Sequence, residues 1–181
     1  NWNYLRRDLQ YATANHCEVA LKITEMSGSL TPWGMDMGTK MLVLFLCTGN
    51  SCRSQMAEGW AKHFHSDWLD AYSAGIEPHG MNPDAVYVMQ EAGIDIQNHT
   101  SKHLNQLQHL SFDYVITVCG HADEFCPQFP GKTKVLHYGF DDPPKLAKQA
   151  KTEEERLKPY RRVRDEIKVF IQGLQSYLQT A

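Results

Sequence analysis

The chain has 181 residues, 42% of them apolar and 22% charged, with a formal net charge of −3. That balance fits a globular protein with one sizeable core and excludes a disordered or fibrous chain. It also gives no sign of nucleic-acid binding, yet leaves an anionic substrate open, because anion sites are built from local backbone amides and single arginines.

The longest apolar run, residues 42–46 after Met41, is far shorter than the roughly 18 residues that span a bilayer, so no membrane association is expected. Residues 1–40 lack the order of a signal peptide, and a cytoplasmic location is expected. This polar, Gly/Ser/Thr/Met-rich stretch reads as an N-terminal extension of unknown role, such as a tag, a fusion remnant or a misplaced start. A short element is expected over residues 16–25, with Cys17 an incidental thiol. Residues 41–181 read as one domain.

From Met41 a strand–helix rhythm begins. Leu42–Leu46 is a continuous apolar run of the kind that a parallel strand buried on both faces shows. Met56, Ala57, Trp60, Ala61 and Phe64 follow at helical spacing. A second strand is expected over 71–76, then a helix capped by Asn82, opened by Pro83 and ended by Gly93. A shorter helix is expected after Thr100-Ser101, and strands over 112–118 and 134–138. The closing helix starts at Thr152, where Glu155 completes a capping box, and Pro159 predicts a kink or a restart. Alternating strands and helices imply a doubly wound parallel sheet, with ligands beyond the carboxyl ends of its strands.

Five cysteines, at 17, 47, 52, 119 and 126, are an odd set that points to catalytic, redox or metal use and away from a secreted disulfide framework. The most informative segment is Cys47-Thr48-Gly49-Asn50-Ser51-Cys52-Arg53-Ser54, at the end of the first strand and just before its helix. A loop in that position turns successive N–H groups into one concavity at a helix N-terminus, which suits a tetrahedral oxyanion. Gly49 permits the tight turn, and the Arg53 fork matches two anion oxygens as a lysine would not. The loop amides are expected to lower the Cys47 thiol into the range of roughly 3.5–7.5 known for reactive cysteines, with Ser54 donating to the sulfur. Cys52 is expected to point away from the anion.

Cys119 and Cys126, with His121 and His137, form an alternative zinc set, but six residues between the cysteines exceed the usual two to four. No metal is therefore expected, and no bound cofactor. His63 and His65 suggest only solvent exposure.

The Cys47–Ser54 segment resembles the active-site loop of the low-molecular-weight protein tyrosine phosphatases and of the arsenate reductases built on the same fold. The resemblance extends from about Met41 to Gln172, through residues 55–61, 72–76, 139–143 and Arg162–Ile167. It implies a three-layer α/β fold with a central four-stranded parallel sheet flanked by helices, and Asp142, beside Pro143, as the acid that protonates the leaving group. Asp141 is the competing candidate. The phosphatases carry tyrosines next, whereas Pro144-Lys145 follows here. Cys119 and Cys126, six residues apart after the third strand, resemble the thioredoxin-coupled arsenate reductases.

That resemblance implies the following course. Arsenate sits in the loop of residues 48–53, clamped by Arg53. Cys47 attacks arsenic, Cys119 attacks Cys47, and Cys126 moves the disulfide to Cys119–Cys126 for thioredoxin to reduce. Arsenate and thioredoxin are the expected partners, and the chain is expected to act as a monomer. A tyrosine phosphatase is the alternative, and a non-catalytic thiol or metal sensor a third. In the family's potassium site, Asn50, Glu58, Ser73 and Thr100 match, but Lys102 stands in place of an aspartate. The Lys102 ammonium is expected to take over the cation's electrostatic role.

Overall fold

The computed structural model of the chain describes residues 39–120, 122, 127–129 and 131–180. Residues 1–38, with Cys17 and the element expected over 16–25, lie outside them, as do His121 and Cys126.

Four strands, β1 (Met41–Cys47), β2 (Leu69–Gly75), β3 (Tyr114–Thr117) and β4 (Lys134–His137), hydrogen-bond in the order β2-β1-β3-β4. Every neighbouring pair is parallel, so each connection must cross over the sheet. Helix α1 (Arg53–His65) joins β1 to β2, and α2 (Pro83–Glu91) with a 3-10 turn (Leu104–Leu107) joins β2 to β3. After β4 come α3 (Pro143–Leu146), α4 (Glu153–Gln172) and α5 (Leu174–Thr180). Val43, Leu44, Phe45 and Leu46 are all 0% exposed. Alternate residues of a strand face opposite ways, so both faces of β1 are covered and the expected α/β layering is observed.

The chain leaves β1 for β2 on one side and returns to β3 on the other, so the order reverses between β1 and β3. Ligands of open α/β sheets lodge at such a point. Here it falls at the carboxyl end of β1, which is Cys47, and just past the end of β3, where Cys119 follows.

Local differences from the sequence reading have physical causes. Thr152 Oγ1 accepts from the Glu155 N–H, but Glu155 Oε2 accepts from the Lys151 N–H one residue before the cap, so the expected capping box is offset. The helix does not restart at Pro159, which lies inside a single helix, Glu153–Gln172. The missing N–H affects one bond early in that helix, and burial of Leu157, Tyr160, Val163, Ile167, Phe170 and Ile171 carries it through. The stop comes instead at Gly173, which separates α4 from α5. The segment after Thr100 forms a 3-10 turn capped by His103 rather than an α-helix. β4 is an exposed edge strand, with Val135 44% exposed. Its β-branched content reflects strand preference and not burial. Among the described residues, no helix is long and apolar enough to cross a membrane.

Candidate functional site

The loop from Cys47 to Arg53 is fixed from outside through its carbonyls. Thr48 O accepts from the Glu77 N–H at 2.8 Å, Gly49 O from the His79 N–H and the Ser101 hydroxyl at 3.0 Å each, and Ser51 O from the Asn82 N–H at 2.9 Å. With these carbonyls held, the Asn50 N–H reaches Cys47 Sγ at 3.2 Å. Asn50 takes a left-handed φ of 46° at the centre of this turn, a conformation asparagine tolerates better than most residues. Gly75, paired in register with Cys47, lies so close beneath the loop that a Cβ there would come within 2.7 Å of Thr48 O and 2.9 Å of Asn50 N.

The Asn50 side chain decides how the sulfur is treated. Its Oδ1 must be the oxygen, because the Lys102 backbone N–H donates to it at 2.8 Å, joined by Gln55 Nε2 at 3.0 Å. Its two amide hydrogens then go to Ser54 Oγ at 2.9 Å and Ser73 Oγ at 2.8 Å. Ser54 Oγ accepts from Asn50, so its own hydrogen is available to Cys47 Sγ at 2.9 Å. Ser73 in turn donates to Glu58 Oε2. Burial works to raise the Glu58 carboxyl, but hydrogen bonds from Lys62 and Ser73 and the charge of Lys102 carry it below its ordinary value.

Lys102 lies beside this carboxylate, with its Nζ 3.8 Å from Glu58 Oε2 and 3.2 Å from Thr100 O. A second ammonium, Lys62, joins Glu58 at 2.5 Å, and the sequence reading missed it. Gln55 and His99 were missed as well. Burial keeps the His99 imidazole below its ordinary value, and its Nδ1 donates to Gln55 Oε1 at 2.9 Å. Gln55 is thereby oriented to hold Asn50 O and Asn50 Oδ1. Their sequence signal was the i+1 position after the loop and the His99-Thr100-Ser101 run.

The Cys47 thiol departs from expectation. Burial pushes it up, opposed by the Ser54 side chain and then by the Ser54 and Asn50 backbone N–H groups, while Cys119 adds to the rise. Desolvation of a thiolate at 3% exposure outweighs those donors. The donors limit the rise and do not produce the depressed thiol that the loop position alone suggested. Cys52 is also buried, its thiol pushed up by desolvation.

Arg53 Nη1 donates to Phe140 O at 3.0 Å, and Nη2 meets Asp142 Oδ1 at 3.1 Å. The acid expected from the sequence is thus brought to the loop, whereas Asp141 pairs with Arg162 at 2.7 Å. Cys119 arrives from the neighbouring strand, its Sγ 3.5 Å from Thr48 Oγ1 and its side chain buried. Thr48, Gly49, Ser51, Arg53, Cys119 and Asp142 line one cleft of about 810 Å³, with His79, Asn82 and Lys145 also on its wall. A cleft of about 860 Å³ elsewhere is lined by Tyr138, Phe140, Phe170 and Tyr177 and contains no thiol. Cys126 lies outside the described residues, among which no cluster of His, Cys, Asp and Glu is arranged to hold a metal.

Fold and site together place a cysteine-headed loop and a second cysteine, Cys119, at the switch point of a parallel α/β sheet. The chain belongs to the low molecular weight phosphotyrosine protein phosphatase family, whose model matches residues 42–181. Among similar proteins, an arsenate reductase of Halalkalibacterium halodurans is 54% identical over 128 residues, which cover 71% of this chain and 90% of that one. The solved structure of an arsenate reductase in the oxidized state is 30% identical, with a TM-score of 0.63, covering 75% of this chain and 97% of that one. A thioredoxin-dependent arsenate reductase from Corynebacterium glutamicum is 25% identical, with a TM-score of 0.58, over 78% of this chain and 63% of that one.

Proposed function

We propose that the chain reduces arsenate to arsenite in arsenic detoxification, through a relay of Cys47, Cys119 and Cys126 that thioredoxin regenerates. The observation that carries this reading is the position of Cys119, whose sulfur stands 3.5 Å from Thr48 Oγ1 inside the cleft of the anion loop. Hydrolysis of a phosphate ester calls for the loop, Arg53 and Asp142 but has no use for a second thiol there.

In this reading arsenate occupies the amides of residues 48–54, with Arg53 on two of its oxygens. The Cys47 thiolate attacks arsenic, Asp142 gives its proton to the departing hydroxyl, and water leaves from a Cys47–arsenate adduct. Ser54 donates to the sulfur and steadies the thiolate against the burial that opposes it. The Cys119 thiolate then attacks Cys47 Sγ. The S–As bond breaks with its electron pair remaining on arsenic, which passes from As(V) to As(III), and a Cys47–Cys119 disulfide remains. Cys126 attacks Cys119 in ordinary thiol–disulfide exchange, restoring the Cys47 thiol. Thioredoxin supplies two electrons to the Cys119–Cys126 pair, so the cycle needs no bound cofactor. A reducing cytoplasm and a monomeric chain fit this scheme.

The test is arsenate-dependent NADPH consumption with thioredoxin and its reductase. Wild type is expected to turn over continuously, and Cys47→Ser, Cys119→Ser and Cys126→Ser each to stop. Continuous turnover by Cys119→Ser would overturn the relay.

A further inference from the structure

Two consecutive carboxylates precede α3, and only one of them meets the anion loop. Asp142 has extended backbone, with φ −92° and ψ 101°, where successive side chains project to opposite sides. Its carboxylate does not cap α3 but lies 3.1 Å from Arg53. Asp141 goes the other way. Its Oδ2 accepts from Arg162 Nη2 at 2.7 Å, while Nη1 of the same guanidinium donates to Glu166 Oε1 at 2.8 Å, one turn further along α4. The fork therefore spans a carboxylate of the acid loop and a carboxylate of its own helix. That helix is firmly seated, with Val163 and Ile167 0% exposed. The rest of the acid loop is held by the Phe140 N–H on Val118 O at 3.1 Å and by Arg53 on Phe140 O.

We propose that Arg162 is a positioning residue for the acid: by holding Asp141 against α4 it turns Asp142 toward Arg53 and the anion loop. This rests on the reading of Asp142 as the proton donor in arsenate reduction. The hydrogen bonds that Arg162 donates to Asp141 and then to Glu166 raise its guanidinium above its ordinary value, so its charge is permanent. Without it, Asp141 is released next to Asp142, where a small rotation of the backbone lets either carboxylate compete for Arg53. Both members of the Arg162–Asp141 pair are about half exposed. Its loss should therefore cost about fivefold in rate, which corresponds to about 1 kcal/mol, the upper range for an exposed pair. A lysine keeps the charge but cannot bridge two carboxylates with a planar fork.

The experiment is single-turnover arsenite release from the reduced full chain as sodium arsenate is varied. In Arg162→Ala and in Asp141→Ala the rate constant at saturation should fall about fivefold, with half-saturating arsenate unchanged and Arg162→Lys restoring part of the loss. In an Asp142→Asn background, Arg162→Ala should add nothing, because the residue acts only through that acid. A second fivefold loss in that background, a change in half-saturation alone, or no loss in the single variants overturns the proposal. The Arg53 guanidinium resonances, followed by NMR, give a readout without turnover. They should shift or broaden in Arg162→Ala and Asp141→Ala, and unchanged resonances overturn the proposal too. A wild type that releases no arsenite sinks the proposed function alone, and the NMR arm still decides the role of Arg162.

Discussion

Replacing Ser54 by alanine removes the 2.9 Å hydrogen bond to Cys47 Sγ, the largest influence that lowers a thiol raised by burial. A hydrogen bond to a charged group contributes about 1.5–3 kcal/mol, and 1.36 kcal/mol is one pKa unit, so the thiol should rise by a further one to two units. Because the group is an acid raised above its ordinary value, its thiolate fraction grows about tenfold per pH unit until the pKa is reached. At one neutral pH, Ser54→Ala should hold about 10–100-fold less thiolate than wild type. The assay is the rate of Cys47 alkylation by iodoacetamide against pH, with the labelled cysteine identified by peptide mapping. The whole curve should move to higher pH, and the arsenate rate should move with it. The substitution also leaves one Asn50 amide hydrogen without its acceptor, so an unfolding curve separates a loss of fold from a loss of thiolate. A folded Ser54→Ala whose alkylation midpoint stays within a few tenths of a unit of wild type would refute the argument.

Gly75→Ala should push a methyl group against Thr48 O and Asn50 N, where backbone and not a flexible side chain must yield. The expected result is loss of arsenate turnover by about tenfold or more, on the scale of about 1–3 kcal/mol for overpacking, in a protein whose circular dichroism is retained. Exchanging sodium for potassium should change the wild-type rate by less than about twofold, because Lys102 and Lys62 already supply positive charge to Glu58. Lys102→Asp should create a potassium dependence, read from the same assay at constant ionic strength.

The parts of the site that adjoin in sequence were legible. A buried apolar strand, a short loop and an amphipathic helix follow one another, so the identity of the residues implies their geometry. Cys119 was legible through its resemblance to a relay, and the parallel pairing of β1 with β3 brings it to the loop. Contacts that depend on distant pairing were not. Arg162 with Asp141 and Gln55 with His99 join residues 21 and 44 positions apart, and no local pattern ties them. The direction of the Cys47 thiol was misread because the sequence displays the donors of the loop and hides the depth of the sulfur. Asp142 was separated from Asp141 only by the resemblance, whereas in the structure the opposite sides of an extended chain separate them physically.

The relay is tested most directly in reduced Cys126→Ser mixed with excess arsenate in the absence of thioredoxin. About one arsenite per chain should be released, as the order of thiol exchange requires, and peptide mapping should find Cys47 joined to Cys119. Continued arsenite release, or a Cys119 that stays reduced after arsenite has left, would contradict the account.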